Sequence, residues 1–144
     1  MSIIQIPSAI VSAMMQAAEV AYPNECCGLL IGQNIQDNSF IISETASSPN
    51  IARGDHRNSF EVDPQVRFNV LHKLSGGKKR IIGHYHSHPD HGSKPSERDF
   101  KMALEPEMVW LIVAVENGLA QRPKAHIVDL VKKGFREIKI DEFN

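Results

Sequence analysis

The chain has 144 residues, 42% of them hydrophobic, which suffices for one globular domain with a buried core. Its formal net charge of -1 and pI near 6.6 argue against a nucleic acid or an anionic membrane as a generic partner. The charge is unevenly placed: all sixteen Lys and Arg lie from Arg53 onward, while Glu19, Glu25, Asp37 and Glu44 precede it.

Residues 1 to 20 carry no basic side chain and include Gln5, Pro7, Gln16 and Glu19, so they do not read as a secretory signal. From Pro7 to Tyr22, Ile10, Met14, Ala17, Ala18 and Ala21 recur at helical spacing before Pro23, which predicts a first helix. The run 25 to 32, ECCGLLIG, reads as a strand, with Phe40 to Glu44 as its hairpin partner across the polar turn Gln33 to Asn38. Its two cysteines, Cys26 and Cys27, are adjacent and so poorly placed to pair with each other, and nothing asks for an oxidising compartment; a cytoplasmic location is expected. The segment TASSPNIARGDHRNS is rich in turn formers and reads as a long loop.

Asp63-Pro64 has the form of an N-cap followed by proline at the first helical position. Val66, Val70, Leu71 and Leu74 then give an apolar face that ends at Gly76-Gly77. Lys78-Lys79-Arg80 reads as a solvated turn rather than a nucleic-acid site. Arg80 to His86 is a strand, Ser87 to Pro95 a loop, and SERDFKMAL a short helix that Ser96 can cap. Met108 to Val115 is an apolar strand, too short for the roughly 20 residues that a membrane-spanning helix needs. Lys124 to Val131 and Phe135 to Ile140 form a terminal pair turning at Lys133-Gly134. This order predicts a single α/β domain, residues 1 to 144, built as an α-β-α sandwich around a central mixed sheet.

Four of the seven histidines, His84, His86, His88 and His91, fall within GHYHSHPDHGSKPSERDF, residues 83 to 100. Along a strand, residues i and i+2 share a face roughly 6.6 to 6.8 Å apart, close enough for two imidazoles to meet one ion. Both His84 with His86 and His86 with His88 satisfy that spacing. Imidazole and carboxylate suit Zn²⁺, and a catalytic zinc usually keeps three protein ligands and one water. Asp99 is the natural third ligand, if the chain folds back after Pro89; Ser96 and Asp99 are also spaced like a capping box.

The full order His86-Ser87-His88-Pro89, six residues, Ser96, two residues, Asp99 resembles the zinc motif of the JAMM metallopeptidases, also called MPN-plus or JAB domains. Glu25 in YPNECCGLLIG matches the upstream glutamate of that family, and FEVDPQ resembles its compact prokaryotic members. The resemblance implies a fold related to the cytidine deaminases, His86, His88 and Asp99 as ligands of Zn²⁺, Glu25 as general acid/base, and Ser96 as donor to the developing oxyanion. It also implies hydrolysis of an amide bond after the flexible tail of a ubiquitin-like protein or sulfur carrier, a β-grasp module ending in Gly-Gly. In compact members the expected task is to trim or release an amino acid from such a carrier. The chain has little room for the long insertions with which eukaryotic deubiquitinases grip ubiquitin.

Other metal chemistries fail on residues. There is no HExxH, the cysteines lack the PCxxC arrangement of nucleobase deaminases, and Gly92 and Ser93 stand where a cupin would place a glutamate. The competing function is a non-catalytic MPN-type scaffold, which the retained Glu25, His86, His88, Ser96 and Asp99 argue against. His84 and His91 read as neighbours of the site, and His56, His72 and His126 as ordinary surface or partly buried side chains. Cys26 and Cys27 read as small buried hydrophobes rather than nucleophiles.

Overall fold

A computed structural model describes residues 2–36, 39–92, 94–95, 99 and 108–144. Its elements, in chain order, are β1 (Ile3–Pro7), α1 (Ser8–Ala21), β2 (Cys27–Gln36), β3 (Ser39–Ser48), α2 (Pro64–Leu74), β4 (Arg80–Pro89), β5 (Val109–Glu116), β6 (Leu119–Ala120), β7 (Lys124–Asp129) and β8 (Gly134–Phe143). The eight strands run in the order β4-β2-β3-β1-β8-β7-β5-β6, and β4 also pairs with β5. The sheet is mixed as expected: β1 runs parallel to β3 and β8, β4 runs parallel to β5, and the other pairings are antiparallel. It is not an open layer, because the β4–β5 pairing closes it on itself.

Alternation along β2 assigns the helices to opposite faces of that strand. Leu30 joins a core with Ile4, Ile6, Leu111, Val113 and the α1 residues Val11, Met14 and Ala18. Leu29 and Ile31 point the other way, into a smaller cluster with Ile81 and Val70 of α2. Each fully buried Leu, Ile or Val of these clusters contributes about 1.5–3 kcal/mol. Close approach sets where strands meet: a Cβ on Gly83 would stand 2.1 Å from the Val109 carbonyl oxygen, so only glycine fits where β4 first pairs with β5.

Sequence and structure agree closely on the helices. Ala-rich α1 stops at Tyr22, whose N–H closes on the Ala18 carbonyl at 3.1 Å, just before Pro23. Asp63 caps α2 by accepting from the Gln65 N–H at 2.9 Å, with Pro64 at the first position. One expected core residue is displaced: Leu71 of α2 is 54% exposed, because the helix rests on the sheet through Val66, Val70 and Leu74 instead. The strand β1 is an addition to the expected elements, and β3 extends four residues beyond Glu44, to Ser48. The expected short helix from Ser96 lies outside the described residues apart from Asp99, which is helical and buried. Among the described residues no helix is long and apolar enough to cross a membrane.

Candidate metal centre and active site

Strand β4 continues through Ser87 to Pro89, held by parallel pairing with β5 as far as Pro89 opposite Val115. His84, His86 and His88 therefore share one face, and distance separates their roles. The Nε2 atoms of His86 and His88 approach to 3.1 Å. His84 stays apart: its ring meets Trp110 edge-on at 4.2 Å and lies 5.6 Å from the His86 ring, centroid to centroid.

Asp99 completes a triangle with that pair. Its Oδ2 lies 3.2 Å from His88 Nε2 and 3.6 Å from His86 Nε2, and all three residues are buried. Ligand atoms around a tetrahedral ion with bonds of about 2.0–2.2 Å stand about 3.3–3.6 Å apart, so the triangle, with sides of 3.1, 3.2 and 3.6 Å, is within about 0.2 Å of three corners of such a site.

The protonation pattern points the same way. His88 Nδ1 lies 2.8 Å from the Gly92 carbonyl, which can only accept, so Nδ1 carries a proton, and the neutral ring presents its lone pair at Nε2. His88 Nε2 and Asp99 Oδ2 are then two acceptors face to face, a contact that a bound cation makes favourable. Burial above all holds the pKa of His86 down to about 4, against the opposing pull of Asp99, so the imidazole is neutral and fit to ligate near neutral pH.

Register delivers Glu25 to the same place. Cys27 stands opposite His86 in the antiparallel β2–β4 pair, and Glu25 precedes Cys27 by two residues, just before β2 begins. Ser87 secures the junction: its N–H donates to the Cys26 carbonyl at 3.1 Å, and its Oγ accepts from the Cys26 N–H at 2.8 Å. Glu25 is 4% exposed, and a carboxylate oxygen of Glu25 and one nitrogen from each of His86 and His88 all lie within 4.8 Å of one another. This buried Glu-His-His group could hold a metal ion, and Asp99 adds a second carboxylate beside it.

The wall facing the centre comes from the loop between β3 and α2, which sequence reading left without a role. Phe60 lies flat on His86, with ring centroids 4.1 Å apart and planes 15° from parallel. The side chain of Asn50 binds four backbone groups of the loop and its surroundings. It donates to the carbonyls of Glu25 (3.1 Å) and Ser59 (2.9 Å) and accepts from the N–H groups of Ala52 and Glu61, each at 3.1 Å. A pocket of about 220 Å³ opens beside Asp99, lined among others by Ala52, Arg53, Gly54, Phe60 and Glu61.

Of the other sequence candidates, Ser96 lies outside the described residues. His91 packs its ring on His88, 4.4 Å between centroids, and its Nδ1 lies 2.8 Å from the Pro89 carbonyl. His126 is buried beside Phe135 on β8, opposite Trp110 of β5. Burial pushes the Cys27 thiol up to about 12 and raises that of Cys26 as well, which leaves neither poised as a thiolate nucleophile.

Comparison with known proteins places the chain in a family. The chain is 31% identical over 120 residues to a desampylase of Haloferax volcanii, spanning 82% of this chain and 78% of that one. A protein from Desulfitobacterium hafniense, known from its solution structure, shares the fold with a TM-score of 0.82 at 24% identity, covering 98% of this chain and 93% of the other. A JAB1/MPN domain protein from Archaeoglobus fulgidus does so with a TM-score of 0.59 at 18% identity, over 94% and 97% of the two chains. With a family model matching residues 7–126, the chain belongs to the prokaryotic homologs of the JAB domain, a compact branch of the JAMM/MPN family.

Proposed function

We propose that this protein is a zinc-dependent metallopeptidase or isopeptidase that cleaves an amide bond at the carboxyl-terminal tail of a ubiquitin-like protein or sulfur carrier. The observation that carries the reading is the triangle of His86 Nε2, His88 Nε2 and Asp99 Oδ2, with the buried carboxylate of Glu25 beside it. In this reading His86, His88 and Asp99 hold the ion, within a single domain spanning residues 1 to 144. A bound zinc ion supplies Lewis-acid polarisation of the scissile carbonyl and lowers the pKa of water to about 7.

The chain's own groups do the rest. Glu25 takes a proton from the attacking water and returns it to the leaving amine, a role that suits a carboxylate buried beside the two imidazoles. Ser96 donates its hydroxyl proton to the developing oxyanion. Phe60 and Trp110 exclude bulk water from the side of His86, strengthening every charge interaction there. The pocket beside Asp99 receives a residue flanking the scissile bond, and its limited size suits a slender tail better than folded polypeptide.

Similarity to a desampylase supports a ubiquitin-like modifier as the substrate class. The test is incubation of the zinc-loaded protein with β-grasp modifiers ending in Gly-Gly, extended by one amino acid, by a peptide, or by a lysine-linked conjugate, and read by intact mass. Release of the extension at the Gly-Gly boundary is expected. A protein that takes up no stoichiometric zinc, or that cleaves none of the three substrate forms, would leave the scaffold reading in its place.

A further inference from the structure

Asn50 holds together parts of the site that are distant in sequence. Its amide has two N–H donors and two acceptor lone pairs, and all four are used on backbone groups. One donor binds the carbonyl of Glu25 itself. The other donor takes the Ser59 carbonyl and one lone pair takes the Glu61 N–H, so that Asn50 grips the chain on both sides of Phe60. The last lone pair takes the Ala52 N–H, at the start of the pocket wall.

The grip falls at the base of the loop. Asn50 forms an isolated antiparallel bridge to Val62, and the Ile51 N–H donates to the Glu61 carbonyl at 3.1 Å. Further out, the Glu25 N–H donates to the His56 carbonyl at 2.7 Å, and His56 Nε2 lies 2.7 Å from the Ala52 carbonyl. Backbone pairing thus closes the loop, while the Asn50 side chain fixes the loop against the segment that carries the proposed acid/base.

From this geometry we propose that Asn50 is a positioning residue. It sets Phe60 over His86, and the pocket wall relative to Glu25, so that proton transfer and tail binding share one frame. The proposal rests on the assignment of Glu25, His86 and His88 to a metal-dependent site, and it concerns placement rather than contact with substrate. Groups that orient metal-site residues from outside the ligand set are commonly worth about 10–100-fold in affinity or activity.

The test compares wild type with Asn50→Asp and Asn50→Ala. Asn50→Asp keeps size and both acceptors but loses the donors to Glu25 and Ser59, whereas Asn50→Ala loses all four bonds. Three measurements are made: kcat and KM at saturating zinc on an extended ubiquitin-like modifier, zinc affinity by chelator competition, and amide hydrogen exchange. Expected for Asn50→Asp is a loss of at least tenfold in kcat at saturating zinc, several-fold weaker zinc binding, and faster exchange at Glu25; Asn50→Ala adds faster exchange at Ala52 and Glu61, whose N–H groups lose their acceptor, with β4 and β5 unchanged in both. A variant within twofold of wild type in kcat and zinc affinity, or one whose exchange rises across the whole sheet, overturns the proposal. Should wild type cleave none of the modifiers, the proposed function fails by that result alone. Exchange at Glu25 then decides the positioning role: an unchanged rate in both variants rejects it, and a local rise supports it. If Asn50→Ala fails to fold, the decision rests on Asn50→Asp.

Discussion

Phe60 and His86 stack at 4.1 Å, and the contact supplies an orientation that a hydrogen bond gives to the neighbouring imidazole. His88 is fixed by its Nδ1 contact to the Gly92 carbonyl, whereas the buried Nδ1 of His86 has no hydrogen-bond partner among the described residues. Ring stacking from Phe60, with the edge of Trp110 at 5.7 Å, fixes the His86 plane instead. Phe60→Ala is therefore expected to weaken zinc binding by about 10–100-fold, the range seen when an orienting partner of a ligand is lost. Phe60→Tyr keeps the stack and should bind as wild type. Competition with a calibrated chelator reads both, and equal affinity for Phe60→Ala would show that the His86 ring needs no such support.

Glu25 and Asp99 are both buried carboxylates at one centre, yet their variants should fail differently. Glu25→Gln preserves shape and removes the proton acceptor, so zinc content is expected to hold while turnover falls by about 10²–10⁴-fold. Asp99→Ala removes an atom lying 3.2 Å from His88 Nε2, and both zinc and turnover should be lost. Metal analysis of dialysed protein alongside a cleavage assay separates the two. Wild-type turnover by Glu25→Gln would remove Glu25 from the chemistry.

Acid sensitivity of the metal-free protein follows from burial of neutral histidines. Burial holds His86 down to about 4 and His84 down to about 3, while an unfolded histidine takes up its proton near 6.5. Between those values the unfolded chain binds more protons than the folded one, so stability falls as pH drops from about 6.5 toward 4. Each histidine contributes a slope of at most about 1.4 kcal/mol per pH unit. Urea denaturation of chelated protein at pH 7.5, 5.5 and 4.5 should show this decline, with a shallower one for His84→Leu. A pH-independent midpoint across that interval would mean that the two imidazoles protonate freely in the folded state.

What the sequence reveals divides by how each feature is encoded. Asp63-Pro64 and the Gly76-Gly77 stop are local signals, and α2 begins and ends between them. The histidine motif was equally legible as residue types at fixed spacing, but the choice between its overlapping pairs needed the continuation of β4 through Ser87 and the position of Asp99. Strand β1 escaped because Ile3-Ile4-Gln5-Ile6 is short and abuts a proline. Its assignment comes from pairing with β3 and β8, more than 30 residues away. Asn50 lies in a segment whose turn-forming composition is real, and Phe60 immediately follows it; what composition cannot encode is that one amide there binds backbone groups up to 25 residues away from it. Ser87 looked like the spacer of His-Ser-His, and only strand register exposes its bonds to Cys26.

Asp90 gives the last prediction, because it turns the chain immediately after the histidine strand. Its φ of 58° lies in the left-handed region, which aspartate tolerates better than most residues. Three bonds hold it there: Tyr22 Oη donates to Oδ2 at 2.5 Å, the Asn117 N–H donates to Oδ1 at 2.9 Å, and the Asp90 N–H donates to the Val115 carbonyl at 2.6 Å. This turn directs the chain toward Gly92, whose carbonyl orients His88. Asp90→Ala loses both side-chain bonds and meets backbone strain, so it should lower the melting temperature and speed zinc loss to a chelator. Asp90→Gly loses the same bonds but relieves the strain, and should fall between Asp90→Ala and wild type in both measurements. If Asp90→Gly matched Asp90→Ala, the Tyr22 and Asn117 bonds would account for the whole effect, and if it matched wild type, backbone conformation would.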